Sequence, residues 1–272
     1  MPCEGIEATS VCLDDIQHSS RYLPFDGMKE SDPGRENGRY GIIPRVQEAL
    51  SELRGIPVTD KSIFLPRDLP LWEEAKGFLD VRNNDEHTVV AYALARALLV
   101  EIPQADESVV LPAILLHDVG WKRIPEELLL LAIGRKPTRL DLVRDHEIHG
   151  VEIAREILER HRPQGVDIEA VLGIIDGHDT VKKAKNINDA VVKDADKGWR
   201  TTPHGMRTIA GWYDVPLSEV ILMLQERSNP LMLTIPGRVL AEANTAAVDA
   251  ELMIENYLGH GPQFKEVKPR RR

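Results

Sequence analysis

The uninterrupted apolar run Val109-Val-Leu-Pro-Ala-Ile-Leu-Leu116 ends directly on His117-Asp118. Such a run has to be buried, and a carboxylate placed at its end suffers a large desolvation cost unless it is paired or bound to a metal. The sequence therefore predicts a core helix that carries an imidazole and a carboxylate to the point where it surfaces. A divalent-metal site is the first chemistry to consider. Other candidate ligands flank it: His87 upstream, His146, His149 and His178 downstream, and the acidic Asp194-Ala-Asp196 beyond them.

Helical signals dominate around this run. Asp85 is a candidate cap for a helix through Ala91, Leu94, Ala95 and Leu98, with His87 in its first turn. The apolar run predicts a helix over 108–119, stopped by Gly120, with His117 and Asp118 in its final turn. Pro125-Glu-Glu starts a short helix ended by Gly134, and 140–161 reads as a long amphipathic helix with Ile148, Val151, Ile153, Ile157 and Leu158 facing inward. Further helices are expected over 168–175, 187–199, 204–212, 217–226 and 239–257. Few segments alternate with period two, so the expected fold class is an all-α bundle.

Before this region, helical signals at 45–54 and 71–81 are separated by a loop containing Pro57 and Pro66. Residues 20–44, rich in proline and glycine, read as an irregular arm. The expected organisation is an irregular N-terminal extension at 1–66, a helical metal-binding core at 67–200 and a C-terminal helical extension at 201–272 packed on it. In that extension, Ala241, Ala243, Ala246 and Ala247 suit either a cap on the bundle or a homodimer seam.

A formal charge of −10 over 272 residues opposes a non-specific nucleic-acid partner, and Arg270-Arg271-Arg272 reads as a solvated tail. The two cysteines, Cys3 and Cys12, are too few and too close to the N-terminus for a disulfide framework or a cysteine zinc site. No stretch approaches the roughly twenty apolar residues of a membrane span, and the opening residues lack a secretory pattern. A cytoplasmic protein without a membrane partner is expected.

The order His87, His117-Asp118 and Asp196 in Lys193-Asp-Ala-Asp-Lys197 resembles the HD-domain superfamily, all-α metal-dependent proteins defined by H…HD…D. The resemblance covers about residues 80–200. Within that family, His146-Glu-Ile-His-Gly150 is similar to an H-x-x-x-G element that supplies a further histidine, and His178 matches another, completing the six-residue set of the dinuclear subgroup. The resemblance implies that His87, His117, Asp118 and Asp196 hold one divalent ion and that Asp118 bridges to a second held by His146 and His178. It does not separate Fe, Mn, Mg, Co and Ni. Asp194 is assigned a supporting or substitute place. The cyclic-dinucleotide-cleaving branch, which carries H-D-x-G-K and a downstream G-Y-P, is disfavoured, because Trp121 occupies the lysine position.

Two chemistries follow from that resemblance. In the first, a phosphohydrolase activates water against a phosphate monoester or nucleotide, with Lys122, Arg123 and Lys197 as phosphate contacts. In the second, two irons activate oxygen against a small polyol or phosphonate, as in enzymes similar to myo-inositol oxygenase. A regulatory HD fold without catalysis is a third reading. His149 shares a face with His146, so one is free for substrate; Asp118, Lys122 and His149 are the candidate catalytic residues for a small, phosphorylated substrate. Trp199, His204, Arg207, Trp212 and Tyr213 read as core or as pocket lining.

Overall fold

The computed structural model describes residues 63–133 and 138–258. The expected arm at 20–44, the helix at 45–54, Cys3, Cys12, the stop at Gly134 and the arginine tail lie outside them. The described residues belong to one compact unit beginning at Ile63, and among them there is no strand. No described helix is long and apolar enough to cross a membrane.

A short α1 (Leu69–Ala75) leads through turns into α2 (Asn84–Glu101). The expected cap Asp85 lies inside the first turn of α2. The residues before the helix, Arg82 and Asn83, are both left-handed, with φ of 57° and 61°. Each costs about 1–2 kcal/mol in a residue that carries a side chain. Backbone hydrogen bonds from Asn84 N to Val81 O and from Asp85 N to Leu79 O, both 2.9 Å, hold the turn that delivers His87 into the core.

The apolar run forms α3 (Glu107–Leu116), capped by Asp106 accepting from Ser108 N at 2.8 Å, and every residue from Val109 to Leu116 is buried. It ends at Leu116, short of the expected Val119, and a 3-10 turn, Val119–Arg123, follows. Gly120 is therefore not a stop signal. A Cβ there would stand 1.9 Å from His146 O and 2.4 Å from Gly150 N, so the glycine lets this turn press its backbone onto the next long helix.

After α4 (Glu126–Ile133) comes that long helix, α5 (Asp141–His161). Ile153, Ile157 and Leu158 are buried as expected. Ile148 is 42% exposed, because His146, Glu147 and Gly150 occupy the inward arc around it. Asp167 caps α6 (Ile168–Ile175) and Asn186 caps α7 (Ile187–Trp199). α8 (Pro203–Tyr213), α9 (Leu217–Arg227) and α10 (Ile235–Leu258) complete the chain. α3 sits at the centre, against α2, α6 and α7, and the 3-10 turn packs on α5. A second apolar cluster of Trp199, Met206, Ile209, Val220, Leu224 and Val248 joins α8 to α10 with the end of α7.

Two glycine substitutions test this packing. Gly120→Ala drives a methyl into backbone and is expected to lower stability by at least about 3 kcal/mol. Gly173→Ala, on α6 with open space around it, should raise stability by about 0.5–1 kcal/mol. Denaturant unfolding of both variants measures the difference, and equal effects would contradict the close approach at Gly120.

Candidate metal centre

His87 in the first turn of α2, His117 capping the end of α3, Asp118 in the next turn, His146 on α5, His178 beyond α6 and Asp196 on α7 converge, and all six are buried. His87 Nε2 and His117 Nε2 lie 3.1 Å apart, with Asp196 Oδ1 3.4 Å from the first and 3.7 Å from the second. His146 Nε2 and His178 Nε2 lie 3.3 Å apart. Asp118 stands between the two pairs. Its Oδ2 is 3.7 Å from His87 and 3.5 Å from His117, while its Oδ1 is 3.7 Å from His146 and 3.6 Å from His178. Asp179 Oδ2 adds a further oxygen beside the second pair, at 3.9 and 4.0 Å. Donors bound about 2.0–2.2 Å from one ion are themselves about 3–3.5 Å apart, so the donor atoms fit a cation in each group.

The rings are aimed by their other edges. His117 Nδ1–H donates to Ile114 O at 2.7 Å and His178 Nδ1–H to Ile175 O at 2.9 Å, which turns each Nε2 toward the cluster. His87 Nδ1 and His146 Nδ1 are buried without a partner. Those rings are held by aromatic faces instead: Trp199 meets His87 edge-on at 4.9 Å, and Trp121 stacks on His146 at 4.0 Å. Trp121 Nε1 also donates to Asp118 Oδ1 at 3.1 Å.

The loop carrying His178 is clamped from two sides. Glu147 accepts from Asp179 N, Thr180 N and Thr180 Oγ1 at 2.7–2.9 Å. Lys193 Nζ donates to Gly177 O at 2.9 Å and His178 O at 2.8 Å and pairs with Asp189. Sequence reasoning assigned neither residue a role. The signal was there in part: a charged residue follows His146 directly on an inward arc, where it needs buried partners.

Burial pushes His87 and His146 down to about 4. It also opposes charge on His178, but the carboxylates of Asp118, 3.6 Å away, and Asp179 prevail and raise that imidazole to about 9. His117 is raised in the same way, by Asp118 and Asp196 against burial. Burial likewise works against ionised Asp118 and Asp196. The imidazoles of His117 and His178 beside Asp118, and of His117 beside Asp196, hold both carboxyls well below the usual range. With His146 pushed down and His178 raised to about 9, His178 holds a proton at neutral pH that a divalent ion at this place would displace.

Arg82, Lys197 and Arg200 surround this group. Burial lowers Arg82 and Lys197, opposed by Asp118 and Asp179 on the first and by Asp196 and Asp179 on the second. On Arg200 the fields of Asp196 and Asp179 outweigh burial and raise it. Of these only Lys197 was a sequence candidate.

Two expected catalytic residues stand elsewhere. The ammonium of Lys122 pairs with Asp80 at the surface, and His149 faces Glu152 with its side chain 34% exposed; neither joins the His/Asp groups. The 3-10 turn redirects Lys122, and one further turn of α5 carries His149 outward. Arg123 pairs with Glu152. Asp194 accepts from Leu233 N, Thr234 N and Thr234 Oγ1 at 2.7–2.8 Å and so anchors the approach to α10, leaving Asp196 with the histidines.

Residues 84–197 match the family model of the HD domain, a span that contains all six buried residues. Comparison with curated proteins and with solved structures yields no match.

Because bound protons compete with the ion, metal affinity is expected to rise about tenfold per pH unit for each proton displaced. The rise should level off above about 9, where His178 loses its proton unaided. Calorimetry in buffers of different ionisation enthalpy counts the protons, and release of none at pH 7 would contradict a proton held on His178. Glu147→Gln, which loosens the 179–180 backbone, should weaken metal binding about 10–100-fold, measured by competition with a chelator.

Proposed function

We propose, on the premise that residues 84–197 are an HD domain, that this chain is a metal-dependent phosphohydrolase acting on a phosphate monoester or nucleotide. The observation that carries the reading is Asp118, whose two oxygens each face a different imidazole pair. In this scheme His87, His117, Asp118 and Asp196 would hold one divalent ion, and Asp118, His146 and His178 would hold a second. Four imidazole nitrogens favour a transition-metal ion over Mg. Bound ions supply polarisation of a phosphoryl oxygen and acidify water for in-line attack.

The chain's own residues do the rest. The carbonyls of Ile114 and Ile175 keep the Nε2 atoms of His117 and His178 turned to the ions, and the Trp121 indole N–H fixes the plane of Asp118. The rings of Trp121 and Trp199 close the outer faces of His146 and His87 against water. Asp179, with 27% of its side chain exposed, is the most open carboxylate of the group.

Elemental analysis combined with a phosphate-release screen over monoesters and nucleotides tests this. The expected result is metal-dependent release of phosphate, with Asp118→Ala losing bound metal and about a thousandfold or more of turnover while keeping its helical circular dichroism. Wild-type metal content in Asp118→Ala would overturn the ligand assignment. Two irons per chain with oxygen uptake on a polyol or phosphonate, and no phosphate release, would put oxygenase chemistry in its place. Bound metal without either turnover would leave a regulatory domain.

A further inference from the structure

We propose that Arg82, Lys197 and Arg200 form an anion subsite beside the His/Asp cluster that takes a tetrahedral phosphoryl or phosphonyl dianion of the substrate. The inference rests on the phosphohydrolase reading for its setting and adds the residues that recognise the substrate.

The first observation is a pairing pattern. Surface arginines such as Arg123, Arg139, Arg155 and Arg207 each pair with a carboxylate. Arg82 and Arg200 lie within the fields of Asp118 and Asp179, yet among the described residues neither they nor Lys197 make a side-chain hydrogen bond or ion pair. Arg82 Nε is buried with no partner. Unpaired donors of this kind, next to acids that face imidazoles, fit an acceptor that arrives with the ligand.

The second observation is how Arg82 is held. Its guanidinium lies over the ring of Trp121 at 5.0 Å and over that of Trp212 at 5.3 Å. Its backbone is left-handed, as is that of Asn83. Trp121 is the same residue that stacks on His146 and bonds Asp118, so the position of Arg82 is indexed to the proposed ligands. Strained backbone and a stacked cation hold the guanidinium in place while leaving its N–H edge free.

The third is charge. With even one divalent ion bound, the positive charges of the ion, Arg82, Lys197 and Arg200 outnumber the carboxylates Asp118, Asp179 and Asp196. Two planar guanidinium forks and an ammonium suit the several oxygens of a phosphoryl dianion better than the two of a carboxylate.

The test is titration of metal-loaded protein with inorganic phosphate, methylphosphonate and acetate at fixed ionic strength, followed by calorimetry, with metal content measured on every variant. Phosphate and methylphosphonate are expected to bind with similar affinity and acetate at least about tenfold more weakly. Arg82→Gln and Arg200→Gln should each weaken phosphate binding about 10–100-fold with metal content unchanged. Lys197→Gln, which removes a charge without touching the tryptophan stack, should weaken it less, and Arg155→Gln not at all. Unaltered phosphate affinity in the Arg82 and Arg200 variants, or acetate binding as tight as phosphate, overturns the subsite. Phosphate binding that depends on these arginines without turnover of any monoester would sustain the subsite and defeat the hydrolase reading. Turnover indifferent to them would do the reverse.

Discussion

Burying Asp118 and Asp196 among imidazoles is the constraint on which the rest of the structure depends. An ionised carboxylate has a high cost inside a protein unless cations face it closely. Here the imidazoles arrive from α2, α3, α5 and the loop after α6, elements far apart in the chain. Bringing them within 4 Å of one carboxylate requires backbones to meet where side chains would keep them apart. Gly120 against His146 O and Gly150 N is the consequence. The early end of α3 follows from the same need, because the 3-10 turn places Asp118 between the two pairs while His117 stays tied to Ile114 O.

The buried His/Asp group and the bundle were legible because each announced itself locally. An acid at the end of an apolar run cannot be idle, and helix caps such as Asp167 and Asn186 mark the starts of α6 and α7. What was hidden depends on partners distant in sequence. Glu147 is explained only by Asp179 and Thr180, and Lys193 only by the carbonyls of Gly177 and His178. Gly120 was legible as a special residue but not as a contact, since a glycine after a helix more often ends it. Ile148 was assigned inward by apolarity, although buried polar side chains had taken that arc.

The C-terminal helices contribute more than a cover. Trp199 ends α7 against His87, and Trp212, on α8, stacks on Arg82. Asp194, on the opposite side of α7 from the histidines, secures the chain at Leu233 and Thr234, where Gly237 leaves room for its carboxylate. Two aspartates separated by one residue thus divide the work of the helix, one toward the cluster and one toward the segment that supports the aromatic wall. Burial raises Asp194, and the donors at 233–234 keep it charged against that pressure.

The overall charge of −10 and a local group of cations beside the cluster are compatible because they act over different distances. At physiological ionic strength, charges more than about 8–10 Å from a bound group are largely screened, so a small anion at the cluster responds to Arg82, Lys197, Arg200 and any ion there. A long polyanion would instead meet the field of the whole chain, in which acidic residues outnumber basic ones, 44 to 34. Net charge therefore acts on a long polyanion, and the unpaired guanidiniums beside the cluster on a small one.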